Sequence, residues 1–475
     1  MRGGSRPERG RVGTGSEGLR SIAAPPWTGA RSTGIGWTLA ATSFGFVVVQ
    51  LDVTIVNVAM PQIGKDLGAG ATGLQWIVDA YTLAFAALLL TAGSFADRFG
   101  SRRVFSLGLV LFGLASLSCA LAPSIGVLIV ARAAQGIGAA LILPTSLSLL
   151  SHACAGDAAA RTHAIGWWSA IGGVVSAAGP VVGGALTSGL GWRSIFFVNL
   201  PICALGLWAT RRYVAETVRV ATQRLDITGQ VLAILALFFL THSVIEAGVH
   251  GWAAASVLSG FAVAAVVIAA FVFTESRVAE PMIPLGLFRN KAFSASIMLG
   301  VVMNLTFYGM IFVLSLYFQN AKGYTPTQTG FALLPFVVIM LANLASGHLA
   351  RRYSPRVPVV AGLLLLALSS GLLHGIDETT PYLRILPSLL LMAIGAGIAT
   401  PALISRTLAS VEPTRSATAS AILGAARQVG SAIGIALFGA LVWGLPAQLA
   451  AGASVSFDLS TLFRLAGVLL AVVCL

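Results

Sequence analysis

Asp52, Asp79 and Arg132 each fall inside a long apolar segment, where ionisable groups are costly and usually functional. Asp52 lies in the stretch Gln50-Leu-Asp52-Val-Thr-Ile-Val-Asn57-Val-Ala-Met-Pro61, and Asp79 lies in Gln75-Trp76-Ile-Val-Asp79-Ala-Tyr81. At about 1.5 Å of rise per residue, Asp52 and Asp79 sit about 8 Å below the outer surface and Arg132 about 12 Å below it, so the three share one level. A carboxyl in a low-dielectric site holds its proton more tightly, and an approaching guanidinium releases it. A change in Asp–Arg distance between two conformations would therefore load and release a proton. The alternative is a static ion pair that orients helices, since a buried charge survives only when paired.

The elements that must position these groups follow from composition. With 57% hydrophobic residues, 9% charged residues and a mean hydropathy of +0.89, the chain is far from the soluble average of about 25% charged. It reads as an all-α polytopic membrane protein. The net charge of +13 is assigned to loops that hold a topology, so no nucleic-acid partner is expected. Fourteen segments are long enough to cross as helices, near 36–59, 74–95, 103–121, 124–148, 162–188, 192–210, 227–246, 255–274, 292–316, 328–348, 357–374, 384–404, 416–441 and 460–475. An even count puts both termini on one side. If that side is the cytoplasm, six basic residues lie in the tail and seventeen in inner loops and helix ends, Arg427 among them. Only Lys65, Arg193, Lys322 and Arg384 fall outside, and Arg132 and Arg464 within spans, which fixes the orientation.

Residues 1–34 are rich in Gly, Ser, Arg and Pro and are expected to form a disordered cytoplasmic tail rather than a signal peptide. Cys119, Cys154, Cys203 and Cys474 show no metal-ligand spacing and read as packing residues, so no metal is expected. His242, His250 and His374 lie near span ends and are expected to be solvated.

The chain repeats itself. The polar run from Gly93 to Arg103, with Asp97, Arg98, Gly100 and Arg102, is echoed 254 residues on by Gly347 to Arg356, without the acid. Gly136 and Gly138 are echoed by Gly395 and Gly397, and Gly179 by Gly430. Such offsets predict two six-helix bundles separated by an inserted pair, a 6+2+6 layout around a midplane site. The expected boundaries are 35–213 for the N-terminal bundle, 214–276 for the linker and inserted helices, and 277–475 for the C-terminal bundle.

The pattern G-x-x-x-D-R-x-G-x-R-R from Gly93 to Arg103 resembles the loop signature of the major facilitator superfamily. The stretch around Asp52 is similar to the first-span signature of the second drug:proton antiporter family, the fourteen-span branch of that superfamily. Arg132-Ala-Ala-Gln135-Gly136-Ile-Gly138 is similar to the family's fourth-span motif, whose Arg is implicated in proton coupling. Gly179-Pro180-Val-Val-Gly183-Gly184 resembles the core of the antiporter motif, and Trp192 to Pro201 and Pro284 to Asn290 read the same way. The resemblance covers about residues 37 to 440. It implies a major facilitator fold, and a loop in which Gly93, Asp97, Arg98, Gly100, Arg102 and Arg103 latch the two bundles in one state. It also implies a gate or seal at Gly179, Pro180, Gly183 and Gly184. Small-residue packing and a pure topology signal are the respective alternatives. Val175 stands where the longer antiporter motif often has Gly. Span 13 lacks the acids that some members use for dicationic drugs, so a preference for divalent cations is not expected.

Gln50, Asn57, Gln75, Gln135, Asn304, Tyr308 and Asn343 are the candidates to line a substrate cavity. An apolar cavity with a few polar groups and a carboxylate suits small hydrophobic organic molecules. The expectation is a proton-coupled antiporter that exports hydrophobic drugs or antibiotics across the cell membrane and works as a monomer. No cofactor is expected beyond the proton gradient. No nucleophile–base set or Walker loop is visible, so the chain is not read as an enzyme and ATP is not its energy source. Export of an endogenous metabolite or siderophore, or a non-transporting sensor on the same scaffold, are the other readings.

Overall fold

With no water in the hydrocarbon core, a spanning backbone must satisfy its own N–H and C=O groups, and a helix does so within one segment. The computed structural model describes residues 30–154, 157–217, 226–278, 281–354, 356–412 and 416–443, and their regular structure is helical throughout. In chain order the α-helices are α1 (Ala30–Leu67), α2 (Ala71–Phe99), α3 (Ser101–Ala120), α4 (Ile125–Ala153), α5 (Ala158–Leu190), α6 (Ser194–Phe197), α7 (Asn199–Tyr213), α8 (Ile227–His250) and α9 (Ala255–Glu275). They continue with α10 (Lys291–Leu316), α11 (Pro326–Ala332), α12 (Ile339–Arg352), α13 (Arg356–Leu372), α14 (Tyr382–Ala409) and α15 (Ser416–Trp443). Polar side chains start several of them. Asp157 accepts from Ala160 N–H at 2.8 Å, Asn290 from Ala292 N–H at 2.9 Å, and Thr325 and Gln328 form a capping box.

Among the described residues, eleven helical segments are long and apolar enough to cross a membrane, or twelve when the bent α5 is taken as one span. The helix α13 is apolar but only 17 residues long. The expected span at 460–475 and residues 1–29 of the expected tail lie outside the described residues. The helix α1 starts at Ala30, inside the expected tail and four residues past Pro26.

The two halves use glycine in the same way. On α4 a methyl group at Gly136 would strike the Tyr81 carbonyl of α2, and one at Gly138 would strike the Phe112 backbone of α3. On α14 Gly395 is pressed against Gly362 of α13, and Gly397 against Ile339 and Ala342 of α12. Gly179 of α5 meets Thr54 of α1, and its echo Gly430 of α15 meets Val301 of α10. Helices that approach backbone to backbone exchange dispersion contacts along their whole length, the main attraction available where lipid is as apolar as the side chains.

The pair α8 and α9 packs together, and α8 also lies against α2 and α15, along the seam between the halves. Gln230 of α8 donates to the Ala87 carbonyl at 2.8 Å and accepts from Thr91, while Gly248 leaves room only for Ala440. Val266 and Phe273 of α9 are exposed, the apolar outer face of a lipid-bounded helix. Arg427, counted among the inner loops and helix ends, lies well inside α15, with its Cγ 3.3 Å from where a Gly300 Cβ would stand.

Candidate proton and substrate site

Arg132 of α4 and Asp52 of α1 form an ion pair with both side chains closed to solvent. Asp52 also accepts from Gln135 Nε2 at 3.1 Å and Asn199 Nδ2 at 3.2 Å. Arg132 donates through Nε to the Ile77 carbonyl at 3.0 Å and through Nη1 to Gln135 Oε1 at 2.7 Å, and its guanidinium lies 4.4 Å from the Tyr81 ring centroid. Ser116 and Cys119 of α3 bond Gln135 at 2.7 and 3.3 Å. Each charge therefore has neutral partners as well as its counter-charge, the condition under which a buried pair persists. Asn199 and Ser116 were missed as site residues. Asn199 opens α7, and the only hint was its place behind the Trp192-Arg193 pair.

Asp79 stands apart, which corrects the expectation of a single three-charge cluster. It is fully buried, and neither carboxylate oxygen has a hydrogen-bond partner. The shared depth was right for the helical rise but said nothing of the rotation about α2. Tyr81 faces Arg132, and two residues turn the helix by about 200°, so Asp79 lies on the other side. One turn earlier Gln75 donates to the Ala436 carbonyl of α15 at 3.1 Å, and residues four apart share a face. Asp79 thus belongs to the seam between α2 and α15.

A central cleft of about 10 Å³, room for about one water, is lined by Asn57, Tyr81, Thr82, Arg132, Tyr308, Gln428 and Ser431 together with Val53, Val78 and Ile435. Of the seven expected lining residues only Asn57 and Tyr308 reach it. Gln135 is spent on the ion pair, Gln75 on the seam, and Asn304 bonds the Gly300 carbonyl of its own helix at 3.0 Å. Gln50 is not among the residues around the cleft, and Asn343 is exposed on α12. Polarity marked these side chains, but their orientation around each helix decided their partners. Cys119, Cys154 and Cys203 are buried free thiols, of which Cys119 also donates to Gln135, and Cys474 lies outside the described residues. His242 is not freely solvated but stacks on Phe238, with centroids 5.8 Å apart.

The halves are closed against each other on the side away from the basic turn. Ser315 Oγ donates to the Asn57 carbonyl at 2.9 Å, and Thr327 Oγ1 to the Gly184 carbonyl at 3.0 Å. Gly184 faces the Pro326 carbonyl of α11, and Gly330 of α11 faces the Pro180 carbonyl, so Pro180–Gly184 and Pro326–Gly330 cross backbone on backbone. Gly183 is pressed on Ile55. Pro180 lacks the N–H that would bond residue 176, and α5 is bent by 40° between its segments His163–Ser176 and Ala178–Leu190.

At the opposite end, Gly100 joins α2 to α3 at φ +95°, a backbone conformation that glycine adopts without strain. The space where its Cβ would stand is filled by the Glu216 carboxylate. Glu216 accepts from Arg102 N–H at 2.9 Å, and Thr217 Oγ1 accepts from Ser101 N–H at 2.9 Å, so the first donors of α3 are capped from the segment after α7. Arg103 Nε lies 3.8 Å from Glu216 Oε2, and Arg102 Nη2 donates to the Arg211 carbonyl at 2.7 Å. The expected latch is in this state tied to its own half through Glu216, a residue the sequence did not single out. Gly93 has open space where a Cβ would stand, so it is not a close-approach position, and Arg98 is exposed. The Asp97 side chain lies outside the described residues.

The Major Facilitator Superfamily matches residues 42–435 of the chain. The chain is 41% identical over 426 residues to the methylenomycin A resistance protein of Streptomyces coelicolor, covering 90% of this chain and 89% of that one. It is 40% identical over 407 residues to the multidrug resistance protein Stp of Mycobacterium tuberculosis (85% and 75%), and 35% identical over 427 residues to the tetracenomycin C resistance and export protein of Streptomyces glaucescens (89% and 78%). Among solved structures, a POT family transporter crystallised with 5-aminolevulinic acid superposes with a TM-score of 0.70 at 14% identity, covering 91% of this chain and 95% of that one. The human organic anion transporter MFSD10 gives 0.63 at 18% identity, covering 94% and 100%.

Proposed function

From its membership of the major facilitator superfamily, which makes this chain a multi-pass membrane transporter and not an enzyme, we propose that it is a proton-coupled antiporter exporting hydrophobic drugs or antibiotics across the cytoplasmic membrane. The observation that carries the proton half of this reading is the division of labour among three buried charges. Arg132 and Asp52 are matched to each other, while Asp79 has no donor at all. A buried carboxyl without a counter-ion is the kind of group that takes a proton in its place, and Asp79 lies on the α2–α15 seam, where a movement of the halves would change its access to water.

The cargo half rests on relatives named for antibiotic and multidrug resistance and on a cleft whose walls combine aromatic and aliphatic side chains with Asn57, Gln428 and Ser431. In the closed state the cleft is too small for cargo, so binding requires the halves to part. We further propose fourteen spans in a 6+2+6 arrangement, with α8 and α9 as the inserted pair, both termini cytoplasmic, and a working monomer.

The test is transport in everted vesicles from cells expressing the chain. A fluorescent hydrophobic dye found to be a substrate should be pumped on energisation, and a protonophore should abolish pumping. Pumping that persists on ATP after the gradient has collapsed would overturn proton coupling.

A further inference from the structure

A cavity of about 500 Å³ lies between the start of α3 and the end of α7, far from the central cleft and unused by the transport cycle proposed above. Arg102, Arg103 and Arg211 line it, against the single carboxylate of Glu216. That carboxylate is already engaged, since its Oε1 accepts from the backbone N–H groups of Arg102 and Thr217 at 2.9 and 3.1 Å. The Arg211 side chain is exposed and forms no ion pair among the described residues. The cavity is therefore a cationic seat with donors to spare, suited to a phosphate that accepts bidentate hydrogen bonds from arginine.

What lies next to the arginines identifies the molecule that carries the phosphate. Leu107 and Val110 form the remaining wall, and the exposed stripe continues down α3 through Leu114. On α7, which packs against α3, Leu205 and Trp208 are exposed as well, with Trp208 one turn from Arg211. A tryptophan and arginines at the end of an apolar stripe mark the level of the headgroups. A soluble phosphate would use the arginines alone, whereas an amphiphile uses both parts of the wall.

We propose that this cavity binds the headgroup phosphate of an anionic phospholipid, whose acyl chains lie along the α3–α7 stripe. The bound lipid would bridge the first turn of α3 to the last turn of α7, beside the carbonyl contact from Arg102 to Arg211.

The experiment is native mass spectrometry of the purified, detergent-solubilised chain titrated with phosphatidylglycerol or phosphatidylcholine, with inorganic phosphate as competitor. Phosphatidylglycerol should be retained preferentially, and Arg211→Gln, outside the proton site and the turn, should weaken that retention by about fivefold, the effect of roughly one interfacial basic residue. Arg211→Lys keeps the charge and should retain most of it, which guards against a folding defect in the first variant. Leu114→Ser should also weaken retention. Equal retention of the two lipids by the parent, or unchanged phosphatidylglycerol retention in Arg211→Gln, overturns the proposal. Displacement of the lipid by inorganic phosphate at equal concentration would mark a free-phosphate site and overturn it as well. None of these outcomes depends on transport, so the proposed antiport stands or falls separately.

Discussion

Arg132 and Asp52 neutralise each other in the interior of the N-terminal half, each with neutral hydrogen-bond partners besides. Removing one of them strands the other in a dry site, at a cost of about 3 to 5 kcal/mol. Arg132→Ala should therefore lower the thermal midpoint of the purified protein markedly and abolish efflux. The double variant Asp52→Asn with Arg132→Gln removes both charges and should recover most of the stability while remaining inactive. Recovery of transport in the double variant would show that the pair is a packing device only.

Asp79→Asn replaces the carboxyl by a group of the same shape that cannot exchange a proton, and the residue has no hydrogen bond to lose among the described residues. Expression and thermal midpoint should match or exceed the parent. Gradient-driven efflux should fall to background, while exchange of substrate down its own gradient should persist. Efflux at the parent rate would demote Asp79 to helix packing.

The crossing of α5 on α11 gives a steric prediction. Gly184→Ala places a methyl group against the Pro326 carbonyl and should slow efflux at least tenfold. Gly189→Ala, five residues away with open space around it, should behave as the parent. The measurement is initial efflux rate normalised to membrane-inserted protein, and equal rates for the two variants would refute a role for the crossing.

Glu216→Gln keeps one acceptor for the first turn of α3 but loses the charge at its N-terminus, worth about 0.3 to 1 kcal/mol. Glu216→Ala loses the acceptor as well and should cost more. Both should raise the reactivity of a cysteine placed at Ser106 towards a water-soluble thiol reagent, because Glu216 forms part of the wall around it. Unchanged reactivity in both would mean that the cap is not formed in the membrane.

The loop between α13 and α14 supplies a pH control. Hydrogen bonds from Thr379 and Thr380 hold the Asp377 carboxyl below its ordinary 3.8, at about 2. A depressed value in the folded state means that the stabilisation is present above the ordinary value and is lost as pH falls towards about 2. The difference in thermal midpoint between the parent and Asp377→Asn should stay constant from about pH 5 to 8. A difference that varies across that range would contradict the assignment.

Charge in an apolar run was the strongest signal in the sequence, and it located Asp52, Asp79 and Arg132 because an ionisable group is costly there and is kept for a reason. It could not say which partner, since that depends on rotation about each helix axis, and the rotation of α2 is set by contacts with α4 and α15. Glycine spacing was legible for a similar reason: Gly136, Gly138, Gly395 and Gly397 sit where two backbones touch, and no other residue fits. Asn199 and Glu216 were hidden. Each acts on a helix distant in sequence, and neither a lone Asn at a helix start nor a lone Glu among arginines states what it will reach. The cavity residues were the least legible, because Gln75 and Gln135 have polar ends that any nearby carbonyl or carboxylate can claim.

The crossing at Gly184 and Pro326 lies near one end of a long helix and sets main chain against main chain, with the Thr327 hydroxyl as its side-chain tie. A joint with so few side chains between its halves can turn with little repacking. It therefore acts as a fulcrum placed off-centre, and displacement grows with distance from it. From Gly184 back to the start of α5 is about 39 Å of helix at 1.5 Å per residue, so a swing of about 10° moves that far end by roughly 7 Å while the joint itself barely shifts. Such a swing would deliver the widest opening to the face that carries the basic turn, and the opposite face would need to break only the hydroxyl bonds of Ser315 and Thr327 to follow.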